Sequence, residues 1–174
     1  MAESRWQNKG RGGLKKAFGY ENASQVVLSI SPNDEDCASL ARILKSDWTV
    51  IARSTLALAL SGLRETPVPI VMCDCDISPQ CMRGTWEEML DHLSLLPAPP
   101  LLILTSRLAD ERLWAEALNL GAWDVLAKPF DPDETIRIAG IAHQHWQDRH
   151  GDHFRRAKEG RSASGTGYLA ATGS

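Results

Sequence analysis

The sequence predicts an α/β fold: a doubly wound parallel sheet of five strands with helices on both faces. Three observations point to it. Five short apolar runs, rich in Val, Ile and Leu, alternate with segments whose apolar residues recur at helical spacing. The runs lack the polar alternation of a sheet with one wet face, so each strand is covered on both sides. Helix punctuation also falls between the runs, at Ser54 and Gly121, and after the last of them, at Pro132.

The elements follow in order. Val26–Ser31 is short and β-branched, and Asp34–Leu44 then sets Cys37, Leu40, Ile43 and Leu44 on one helical face. Trp48–Ala52 reads as the second strand. Ser54 is the expected N-cap of a helix carrying Leu56, Leu60 and Leu63. Pro69–Cys73 is the third strand and ends at Asp74. Trp86–Leu95 forms a helix with Met89, Leu90 and Leu93 inward. Leu101–Leu104 is the fourth strand, ending in Thr105 and Ser106. Ala109–Leu120 is a helix closed by Gly121, a residue suited to the left-handed conformation past a helix end. Trp123–Ala127 is the fifth strand and runs into Lys128-Pro129. Pro132 opens the last helix, expected to end near Trp146. Residues 25–148 thus make one domain. Residues 1–24, basic and glycine-rich, read as a flexible arm, and 149–174, ending in Gly, Ser, Ala and Thr, as a flexible tail.

Bulk properties exclude several roles. The 174 residues are 43% hydrophobic and 24% charged, with a formal net charge of -3, so no global field favours nucleic acid. No apolar run approaches the roughly 20 residues of a membrane span, and residues 1–24 hold no apolar core of the kind a signal peptide carries, so none is expected. A cytoplasmic setting is expected, with Cys37, Cys73, Cys75 and Cys81 as thiols. The Cys73, Cys75 and Cys81 spacing, even with His92, matches no common zinc pattern. The histidines and arginines around 143–156 read as a solvated helix end rather than a DNA contact.

In doubly wound sheets chemistry collects at the carboxyl ends of the strands. Ser31, Asp74, Thr105 and Lys128 stand at four of those ends. A carboxylate beside a lysine and a hydroxyl suits the uptake of a phosphoryl group, whose transfer needs positioning and charge neutralisation.

Three blocks carry a resemblance. Gly121-Ala-Trp-Asp-Val-Leu-Ala-Lys128-Pro129-Phe130, Leu101-Leu-Ile-Leu-Thr105-Ser106 and Pro69-Ile-Val-Met-Cys-Asp74 are similar to the matching parts of response-regulator receiver domains of the chemotaxis Y type. The likeness spans about 25–146. It implies a flavodoxin-like strand order 2-1-3-4-5, Asp74 as phosphoacceptor, Thr105 and Lys128 as the phosphate-contacting and switch residues, and a cis Lys128-Pro129 bond. It also implies two-component signal relay without enzymatic turnover. The partners would be a histidine kinase or phosphotransfer protein and a downstream protein target, with neither nucleic acid nor membrane.

Three features depart from that pattern. Ser31 and Pro32 stand where the resemblance implies two adjacent acids. Asn33, Asp34 and Glu35 either reach into the pocket or cap and charge the following helix. The loop from Asp74 to Gly84 is long, and Val125 stands where an aromatic switch residue is usual. The candidate metal ligands are then Asp74, Asp34 and Asp76, and Mg2+ affinity is expected to be weak. Two readings stay open: a phosphorylatable receiver, and a degenerate one that acts by protein binding alone. Arg107, Arg112, Trp114 and Trp123 are the expected anchors of a docking face.

Overall fold

The computed structural model describes residues 25–65, 68–76 and 85–163. The arm 1–24, the end 164–174, Cys81 and most of the long loop after Asp74 lie outside these residues.

The described elements are β1 (Val26–Ile30), α1 (Asp34–Leu44), β2 (Thr49–Arg53), α2 (Leu56–Glu65), β3 (Ile70–Asp74), α3 (Thr85–Ser94), β4 (Leu101–Ser106), α4 (Glu111–Leu120), β5 (Asp124–Ala127) and α5 (Pro132–Ala163). The five strands pair in parallel in the order β2-β1-β3-β4-β5. This is the doubly wound, flavodoxin-like order. The winding reverses between β1 and β3, which places the topological switch point there.

Strand alternation sorts the core into two layers. Val26, Leu28, Ile30, Val71, Cys73, Leu102, Leu104 and Val125 pack with Ala59 and Leu63 of α2, Met89 and Leu93 of α3 and Ala117 of α4. Val27, Ile70, Met72, Ile103 and Leu126 face the other way, onto Leu40 and Leu44 of α1 and Ile138, Ala139 and Ala142 of α5. Successive strand side chains point to opposite faces, so each strand feeds both layers. That is why β1 and β3 are buried along their whole length. Among the described residues β2 pairs only with β1 and is half-exposed, as an edge strand should be.

Local boundaries shift by a residue or two from the sequence reading, with two larger differences. Thr55, not Ser54, caps α2: its hydroxyl accepts the Leu58 N–H at 3.4 Å. The last helix does not stop near Trp146 but continues to Ala163, so residues 149–163 are helical where a flexible tail was expected. Trp146 is not a helix end but an anchor. It is buried in the α5 stripe of Thr135, Ile138, Ala139, Ala142 and His143, and its Nε1 donates to the Pro99 carbonyl at 2.9 Å. The polar residues that follow carry no apolar stripe, so the sequence offered no periodicity to extend the helix.

Gly121 does what its position implies. It adopts φ 106°, and the N–H groups there meet the carbonyls of Ala117 and Leu118. Lys128-Pro129 is cis. No helix among the described residues is long and apolar enough to cross a membrane.

Candidate functional site

The same alternation that builds the core aims the site. Counting by twos from Ile70 and Met72 reaches Asp74. From Ile103 it reaches Thr105, from Leu126 it reaches Lys128, and from Val27 and Ser29 it reaches Ser31. All four therefore emerge at the carboxyl edge on the α1/α5 side of the sheet. Cys73 and Cys75 take the opposite parity and pack in the α2–α4 layer. Burial pushes both thiols up to about 12. Among the described residues no group of His, Cys, Asp and Glu is arranged to hold a metal, and the cysteines are free.

Asp74 and Lys128 are buried at the floor of the pocket, 3% and 5% exposed. Lys128 Nζ lies 2.7 Å from Asp74 Oδ1, 2.8 Å from Asp76 Oδ2 and 3.0 Å from Asp36 Oδ2. One ammonium thus meets three carboxylates with its three donors. Burial alone would lower the Lys128 pKa, but the bonds to Asp74, Asp76 and Asp36 outweigh it and hold it above the ordinary lysine value.

Both oxygens of Asp74 are engaged. Oδ1 accepts from Lys128 and from the Asp76 N–H at 2.9 Å, and Oδ2 accepts from the Ser31 hydroxyl at 2.7 Å. Thr105 is the direct strand partner of Asp74 on β4 and is buried beside it. Its carbonyl accepts the Cys75 N–H at 2.9 Å, which fixes the first residue after β3.

Asp76 follows at the mouth of the pocket. Ser106 Oγ donates to its Oδ1 at 2.6 Å, and the Arg107 N–H meets its two oxygens at 2.9 and 2.7 Å. Burial would raise the Asp76 pKa, but the bonds from Lys128, Ser106 and the Arg107 amide prevail and lower it.

Asp36 is an acid at the pocket that the sequence reading did not name; Asp34, named there as a candidate metal ligand, lies exposed. Asp34 and Glu35 are exposed on the first turn of α1, where they complement the helix dipole. Asn33 is the N-cap and accepts the N–H groups of Glu35 and Asp36 at 3.0 and 3.4 Å. Asp36 stands three residues after the cap, where an acid usually reaches back to the N-cap N–H. Here the Asn33 N–H is taken by Ser31 Oγ at 3.1 Å. Asp36 is therefore released to turn toward Lys128. The Asn-x-x-Asp spacing was visible in the sequence, but it signals capping rather than a pocket.

The expected docking anchors divide. Arg107 reaches into the pocket mouth, where Nη2 meets Asp36 Oδ1 at 3.1 Å and Nη1 meets Asp76 Oδ2 at 3.4 Å. Trp123 is half-buried with its ring 4.6 Å from that of His145, a packing role. Arg112 and Trp114 stay exposed on α4, Trp114 at 47%. Val125 is buried in the core.

The pocket does not fit a magnesium ion as it stands. Magnesium asks for near-octahedral oxygens at about 2.0–2.1 Å and keeps several waters. The three carboxylates instead surround the Lys128 ammonium, and Ser31 is committed as a donor to Asp74.

No protein-family model matches the sequence, and no curated protein matches it significantly. Solved structures do. A response regulator from Thermotoga maritima aligns with a TM-score of 0.61 at 16% identity, over 70% of this chain and 98% of that one. The CheY-like receiver domain protein of Methanospirillum hungatei gives 0.60 at 18% identity, over 72% and 98%. The signal receiver domain of an HD domain-containing protein from Pseudomonas fluorescens gives 0.63 at 21% identity, over 75% and 94%. The fold is that of response-regulator receiver domains.

Proposed function

We propose that this receiver-fold domain relays signals by binding a protein target, without phosphorylation of Asp74. One observation carries the reading: the chain's own donors already engage both oxygens of the Asp74 carboxylate, Lys128 and the Asp76 amide on Oδ1 and Ser31 on Oδ2. A phosphoryl acceptor must present an oxygen lone pair in line with the incoming phosphorus. Here three hydrogen bonds already draw on the carboxylate's lone pairs, and Ser31 and Pro32 add no acid to hold a charge-neutralising ion. The surface available for a partner includes Arg112 and Trp114 on α4, residue types that anchor interfaces. The free thiols Cys37, Cys73 and Cys75 suit a cytoplasmic setting.

A second reading has its own support. The 2.7 Å Lys128–Asp74 pair and the pairing of Thr105 with Asp74 are the parts a phosphoacceptor site needs. In that reading an Asp74 oxygen attacks the phosphorus of a phosphohistidine on a kinase or phosphotransfer protein, and the P–N bond breaks. Lys128 and Thr105 then hold the phosphoryl oxygens.

Mass spectrometry separates the two. The protein is incubated with acetyl phosphate and Mg2+ beside Asp74→Asn. The binding reading expects no mass gain in either. One phosphate on the parent that is missing from Asp74→Asn would establish the second reading instead.

A further inference from the structure

We infer that Arg107 and Lys128 together take the place of a divalent cation in this pocket, and that the Arg107 side chain keeps such an ion out. The inference rests on the reading of Asp74 as held by the chain's own donors and goes on to name the residue that closes the pocket.

The two cations act at different depths. Lys128 is at the floor and satisfies one oxygen of each carboxylate. Asp36 and Asp76 form the mouth, with side chains 14% and 19% exposed. An oxygen-seeking ion would enter there. Arg107 lies across that mouth: Nη2 and Nη1 fork onto the two Asp36 oxygens at 3.1 and 3.3 Å, and Nη1 also reaches Asp76 at 3.4 Å. A planar fork on a carboxylate occupies both oxygens at once, which a lysine at the same place would not do.

The local backbone does not need this side chain. The Arg107 N–H and Ser106 Oγ would still hold Asp76, and Asn33 would still cap α1. The Arg107 side chain is 54% exposed, so its removal leaves the core intact. Without it, three carboxylates face a single lysine, and Asp36 Oδ1 turns to solvent. Paired carboxylates plus water are the ligand set that hard dications take. Arg107 also ties the start of α1 to the ends of β3 and β4, so it acts as a latch across the switch-point crevice.

The test is a titration of the full chain with Mg2+ by calorimetry. Mn2+ is added to dilute samples as a paramagnetic probe that broadens nearby amide signals. The parent should show weak binding and little broadening at Asp36 and Asp76. Arg107→Ala should bind about five- to tenfold more tightly, the effect of removing one exposed charge from beside a site. Broadening should then centre on Asp36 and Asp76. Arg107→Lys should fall between the two, and adding Asp36→Asn to Arg107→Ala should return the affinity to the parent level. An Arg107→Ala protein that is folded by circular dichroism but binds no more tightly than the parent would overturn the inference. So would a parent that binds as tightly as Arg107→Ala. Phosphate uptake is read separately, so a phosphorylated parent would sink the binding reading without deciding the titration.

Discussion

Lys128 binds three carboxylates at once from a nearly dry position, and its loss should be felt throughout the pocket. Lys128→Met keeps the stem but strands Asp74 without a counter-charge. Breaking a buried pair by removing one partner costs about 3–5 kcal/mol, and a shift of the urea midpoint would measure it. The same cluster sets a pH window. Asp76 has a lowered pKa, so its contribution is present above the unfolded carboxylate value of about 3.9 and lost as pH falls through the folded value. Lys128 has a raised pKa, so its contribution is complete below about 10.4 and lost as pH rises through the folded value. The urea midpoint should therefore form a plateau between those limits, falling on the acid side less steeply in Asp76→Asn. A midpoint still rising below pH 4 would contradict the assigned pairs. Cys73 and Cys75, with thiols held near 12, should resist iodoacetamide at pH 8 until the protein is unfolded. At this scale the sequence was half legible. Asp74 and Lys128 announced themselves by standing at strand ends. Asp36 did not, because its role depends on whether Ser31 or Asp36 satisfies one backbone N–H.

The helices show where local chemistry decides stability and where it yields to packing. Gly62 in α2 and Gly140 in α5 have open space where a Cβ would stand. Gly62→Ala and Gly140→Ala should each stabilise by about 0.5–1 kcal/mol, since glycine is the costlier residue inside a helix. Gly121→Ala meets no atom either, yet its φ of 106° makes it destabilising by about 1–2 kcal/mol. Thermal unfolding of the three variants should give two upward shifts in Tm and one downward. If Gly121→Ala were neutral, the left-handed close of α4 would be in error. Trp146→Ala should cost about 3–5 kcal/mol by the usual scale for a buried aromatic, because that ring pins α5 to the Pro99 carbonyl. Helix positions were readable from apolar spacing. Their ends were less so: Ser54 and Thr55 are both capping types and Thr55 serves although serine is the better cap by type, and the far half of α5 is a helix without an apolar stripe.

For the molecule as a whole, the five strand-helix units and their two layers followed from the runs of Val, Ile and Leu, because burial on both faces leaves no other sheet. The strand order was reached by resemblance rather than by pattern, since apolar runs do not say which neighbour they choose. The proposed partner surface belongs to this scale too. Arg112→Glu and Trp114→Ala lie on exposed turns of α4, so they should weaken target binding at unchanged Tm. Binding that survives both would place the interface elsewhere. The shared parity of Ser31, Asp74, Thr105 and Lys128 has a last consequence. The chain tolerates changes of letter in the pocket better than changes of frame. A single residue inserted into β3 ahead of Cys73 would swing the carboxylate into the α2–α4 core and turn Cys73 toward Lys128. Variation by insertion and deletion is thus shut out of the strands that aim the pocket and left to the loops between them.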